Sequence, residues 1–96
     1  MQEKKMESTR KCSELKENEQ VVFKVDPYHN NEKRVFDGNV IYVSPDRKQV
    51  CVCYLEGYKS RTDDIPYEDM LAVYDKDGEY MEFDNISGPS CKLVAE

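Results

Sequence analysis

Residues 37–73, DGNVIYVSPDRKQVCVCYLEGYKSRTDDIPYEDMLAV, decide the fold, because apolar side chains recur there at every second position between turn signals. Residues 37–44 read as a strand led by Gly38. It closes on SPDRK, where Pro45 suits the first central position of a turn. Residues 49–56 complete a hairpin, with Val50, Val52 and Tyr54 on one face and Cys51, Cys53 and Leu55 on the other. Two largely apolar faces mark a central strand. Gly57 and Tyr58 bend the chain into a polar-faced strand over 59–65. Pro66 then opens a single helical turn through Met70, and residues 71–75 form another short strand.

Further out the signals thin. QVVFKV, residues 20–25, is a β-branched strand stopped at Asp26-Pro27, since proline supplies no ladder donor. Residues 27–36 have the composition of a loop. Residues 76–78 read as a turn and 79–83 as a last strand, with Cys91–Val94 of the 85–96 tail laid along an edge. Residues 1–19 are densely charged and carry too few apolar groups to offset the entropy of ordering, so they read as a flexible arm. The expectation is one all-β domain over 20–84. Five to six short antiparallel strands and one helical turn would close into a small barrel, leaving few open edges.

The formal charge is −6, unevenly spread. Residues 1–20 cancel, with five basic against five acidic groups. Residues 21–61 carry seven basic groups against five acidic, and residues 62–96 two against ten. An acidic chain is repelled by phosphate backbones unless its cations cluster. A basic peptide suits the acidic C-terminal third better. Residues 1–20 lack the apolar core of a signal peptide, and no apolar run approaches the roughly 20 residues of a membrane helix. A cytoplasmic setting (nuclear in a eukaryote) with reduced thiols follows as an expectation.

The pattern Gly38-x-Val40, Val50-x-Val52-x-Tyr54, Gly57-Tyr58, Asp63-Asp64-Ile65-Pro66 and Met70-Leu71 resembles the Tudor and chromo-barrel branch of the SH3-like barrels. The resemblance covers residues 37–73. It implies a non-catalytic interaction module whose aromatic residues hold a methylated lysine or arginine by cation–π attraction. By position, Tyr54 and Tyr58 match cage aromatics beside the bend, and Tyr42 would join them from the hairpin. Glu56, Asp63 and Asp64 would draw a cationic side chain to the same rim. The sequence departs from the family in having no Trp and in placing Arg61 or Thr62 where a further aromatic is usual.

Other chemistries find less support. Cys51 and Cys53 lie two apart on one strand face, with Cys12 and Cys91 distant and no C-x-x-C spacing, so core packing is expected rather than a metal site. His29 stands alone in a polar loop with no nucleophile motif around it. DKDG at 75–78 lacks the remaining ligands of a calcium loop. No catalytic group, cofactor or metal is expected. The expected partner is a protein or peptide, basic by charge complementarity; an open edge strand would also pair with a partner's backbone or a second copy. The alternative is a nucleic-acid accessory protein of the same fold. It would use Lys33, Arg34, Arg47, Lys48, Lys59 and Arg61 with interleaved Tyr28, Tyr42 and Tyr58.

Overall fold

The two-residue alternation becomes backbone as expected at Gln20–Val25 and Gln49–Glu56. The computed structural model describes residues 8–74 and 91–96. Its strands are β1 (Ser8–Lys11), β2 (Gln20–Val25), β3 (Arg34–Ser44), β4 (Gln49–Glu56), β5 (Lys59–Pro66), β6 (Met70–Val73) and β7 (Cys91–Val94). Single 3₁₀ turns occupy Cys12–Glu14 and Tyr67–Asp69. All seven strands belong to one sheet, ordered β1-β7-β6-β2-β3-β4-β5. The protein is therefore all-β over its described residues. The turn at 76–78, the strand at 79–83 and the start of the tail lie outside them.

Several expectations need correction. The sheet is open: β1 and β5 stand at opposite edges with no ladder between them. It has more strands than expected, because each end of the chain adds one. The pair these make, β1 with β7, is parallel. β7 is no edge piece, since it lies between β6 and β1. Residues 34–36 are strand rather than loop, and pair with Phe23, Lys24 and Val25. Pro66 ends β5, and the 3₁₀ turn begins one residue later.

One core serves the whole sheet. It draws Val21, Phe23 and Val25 from β2, Val40 from β3, and Val50, Val52 and Tyr54 from β4. Ile65, Met70, Val73 and Leu93 join from β5, β6 and β7, with Tyr67 from the second 3₁₀ turn. No helix covers this face among the described residues, so the sheet itself must curl to exclude water, and β2 comes up against β5 without pairing to it. Two bulges supply the bend. Val40 pairs with Val52 but Tyr42 with Cys51, which leaves Ile41 as an extra residue. Val22 pairs with Ala72 but Phe23 with Met70, which leaves Leu71 extra.

The arm also needs correction where it is described. Arg10 grips Glu19 through both terminal nitrogens, at 2.8 and 2.9 Å, and donates to the Glu14 carbonyl at 2.9 Å. The 3₁₀ turn beneath buries Cys12 completely, with Leu15 beside it. Charged composition missed this because three anchoring contacts, not average hydropathy, order the segment. Burial pushes the Cys12 thiol from 9.0 up to about 11. In this window the folded state holds the proton while the unfolded chain releases it. Stability is therefore full below about pH 9 and falls as the pH rises towards 11. Between pH 8 and pH 10.5, urea denaturation is expected to show a loss about 2 kcal/mol smaller for Cys12→Ala than for the wild type, the rest of the loss belonging to other groups raised on folding.

Candidate functional site

A two-residue turn joins β4 to β5, with Glu56 paired to Lys59 and Gly57 at φ +69°. That left-handed conformation suits a residue without a side chain. Opposite it comes the loop between β2 and β3. Asp26 organises this loop by accepting from the Asn30 and Asn31 backbone N–H groups, at 3.1 and 2.7 Å. Desolvation opposes ionisation of Asp26, but these backbone bonds outweigh it and hold the carboxyl below its usual range. The loop presents Tyr28 to the end of β4, where its hydroxyl donates to Glu56.

Tyr28 has two cations against its ring. The guanidinium carbons of Arg34 and Arg61 lie 5.8 and 5.9 Å from the ring centroid. Arg61 also approaches Glu56 at 3.6 Å and donates to the Pro27 carbonyl at 3.4 Å. One of the rim's aromatic faces is thus engaged by the chain's own arginines.

The three tyrosines expected to form a cage do not converge. Tyr54 is 2 % exposed, packed at 5.5 Å from Phe23 and 5.0 Å from Phe36, and its hydroxyl donates to Asp63 at 2.6 Å. Burial, then this bond, push its phenol far above the ordinary range. Tyr58 stands fully in solvent at the turn. Tyr42 is 54 % exposed on the outer face, because the Ile41 bulge reverses the alternation beyond Val40 and turns Val43 inward in its place. There Tyr42 makes a cross-strand row with Cys51 and Asp64. Burial and the Asp64 charge push the Cys51 thiol up. Of the six expected residues, Tyr54 and Asp63 are bonded to one another, Glu56 is held by Tyr28 and Arg61 beside the turn, and Tyr42, Tyr58 and Asp64 join neither group.

The basic set is divided too. Arg34 opens β3 and Arg47 and Lys48 follow its end, so about 30 Å of extended strand separates them. Lys33 is held by Asp69 at 2.8 Å. Only Arg34 and Arg61 come together, on Tyr28.

Sequence reasoning missed a second feature. Two adjoining hollows share Val35, Phe36 and Asp37 on β3. One, of about 210 Å³, reaches Val22 and Tyr74; the other, of about 410 Å³, reaches Gly38, Asn39, Cys53 and Leu55. Together they form a trough across the sheet. Val35 and Leu55 are 60 % and 65 % exposed along it. Asp37 lies at its middle, and Tyr74, pushed up first by burial and then by the Asp37 charge, lies against that carboxylate. The available signal was an aliphatic residue at a solvent-facing position of each of two neighbouring strands. No His, Cys, Asp and Glu grouping with metal-binding geometry occurs among the described residues, and no helix among them is long and apolar enough to cross a membrane. None of the family models, curated proteins or solved structures compared with the chain matches it. What stands is an all-β protein built on one curled sheet.

Proposed function

We propose that this protein is a non-catalytic interaction module of SH3-like design that binds an extended, basic segment of a protein partner in the trough that crosses the sheet at β3. The meander of β2 to β5, the 3₁₀ turn and the return of β6 to β2 support the SH3-like arrangement. The trough carries the functional reading. Val35 and Leu55 offer apolar area to alternate side chains of an extended peptide, and Asp37 between them offers a carboxylate to a lysine or arginine. The partner is met in the cytoplasm, or in the nucleus of a eukaryote, where Cys12, Cys51, Cys53 and Cys91 stay as free thiols. A tyrosine cage for methylated side chains forms no part of this proposal, because Tyr42, Tyr54 and Tyr58 point to three different environments.

Selection of a random peptide library displayed on phage tests the proposal. Enriched sequences are expected to place a lysine or arginine between aliphatic residues. Asp37→Lys is expected to weaken their binding at least tenfold, and Leu55→Asp to weaken it comparably. Peptides that bind both variants as well as the wild type would place the site off the trough.

A further inference from the structure

β5 has one neighbour. It pairs with β4 from Lys59 to Pro66 without a register shift, and no other described backbone bonds to it between Lys59 and Ile65. The two-residue turn makes Glu56 and Lys59 a hydrogen-bonded pair. Alternation then directs the backbone groups of Arg61, Asp63 and Ile65 towards β4, and those of Ser60, Thr62 and Asp64 away from it. Three residues therefore hold an open row of donors and acceptors. Side chains alternate as well: buried Ile65 shares the inner face with Arg61 and Asp63, while Ser60, Thr62 and Asp64 are exposed on the outer one.

Charged edges ordinarily keep strands apart. The charges of β5, however, are antisymmetric, with Lys59 and Arg61 in its first half and Asp63 and Asp64 in its second. We propose that β5 pairs antiparallel with β5 of a second copy of this chain, about a two-fold axis at Thr62. Outward-pointing residues can pair only with one another, which restricts the registers. An axis at Arg61 sets two arginines face to face, and an axis at Asp63 sets two aspartates face to face. Centring on Thr62 places Arg61 opposite Asp63 of the second copy, twice, and sets no like charges opposite. Asp63 already accepts from Tyr54, and Arg61 already faces Glu56, the Pro27 carbonyl and the Tyr28 ring, but a carboxylate accepts more than one bond and a guanidinium carries five donors. On the outer face, Thr62 meets Thr62 of the second copy and Ser60 meets Asp64 of the second copy. This interface uses β5, the strand next to the Cys53 and Leu55 side of the trough, but it needs neither Asp37 nor a peptide bound there.

A single added strand pair makes a small interface, so association belongs to the range of about 10 µM to 1 mM. Sedimentation velocity on the full chain across that range is expected to show monomer passing to dimer. Thr62→Pro removes an N–H that points away from β4, and an edge strand accommodates the proline ring, so it should keep the fold and abolish the dimer. Ser60→Lys adds an outer-face pair with Asp64 of the second copy twice over and is expected to tighten association about fivefold. Circular dichroism verifies the fold of each variant, and Asp37→Lys is expected to dimerise as the wild type does. A monomer at 1 mM would overturn the proposal. So would a dimer whose dissociation constant neither Thr62→Pro nor Ser60→Lys changes.

Discussion

Gly38→Ala is expected to destabilise the protein by about 2–3 kcal/mol, and Gly38→Val to leave no folded population at room temperature. Gly38 is buried and is paired on both sides, to Val21 of β2 and Tyr54 of β4. A Cβ added there would overlap the Cys53 carbonyl oxygen and come within 2.9 Å of the Tyr54 Cβ. Neither neighbour is the free end of a flexible side chain, so the ladder itself would have to part. Gly57 supplies the contrast, since open space surrounds it and its burden is only a φ of +69°. Gly57→Ala is expected to cost about 1 kcal/mol. Urea denaturation of the two alanine variants measures the difference, and equal midpoints would show that the strands can separate at Gly38 without loss.

Tyr54→Ala is expected to lower stability by about 3–5 kcal/mol, whereas Tyr54→Phe should lower it by about 1 kcal/mol. The larger loss removes a ring wedged between Phe23 and Phe36. The smaller removes only the hydroxyl bonded to Asp63. Folding raises the Tyr54 pKa, so this bond stabilises fully below the ordinary tyrosine value of 10.0 and its contribution is lost as the pH climbs beyond it. Thermal melts at pH 7 and pH 11 should therefore converge for wild type and Tyr54→Phe at the higher pH. A gap that persists unchanged at pH 11 would show that the hydroxyl's contribution does not follow its proton, and would overturn its assignment to this bond.

The central strands were legible because their turns and alternation are local properties. Val50, Val52 and Tyr54 share the buried face, as read from parity alone. Parity then failed at Tyr42, since an extra residue in a strand leaves no mark when Ile41 is as good a strand former as its neighbours. Composition misled over residues 8–15 for a different reason. Cys12 and Leu15 are buried by partners remote in the sequence, and a charged segment gives no sign of such pairing. The rim was half legible: Glu56 and Asp63 stood out by charge and position, but Tyr28 reaches Glu56 only through the loop that Asp26 organises. The trough was the least legible feature, because it arises where Gly38 draws β3 close to β4 and no single residue announces it.

The β1–β7 pair also bears on how the chain matures during synthesis. Ser8 leaves the ribosome long before its ladder partner Cys91, which is made more than eighty positions later. Strands β2 to β5 can meet neighbour by neighbour as they emerge, each with the one just completed. The β1–β7 ladder must wait until residues 91–94 have been made, so β1 lacks its strand partner while β2 to β5 assemble.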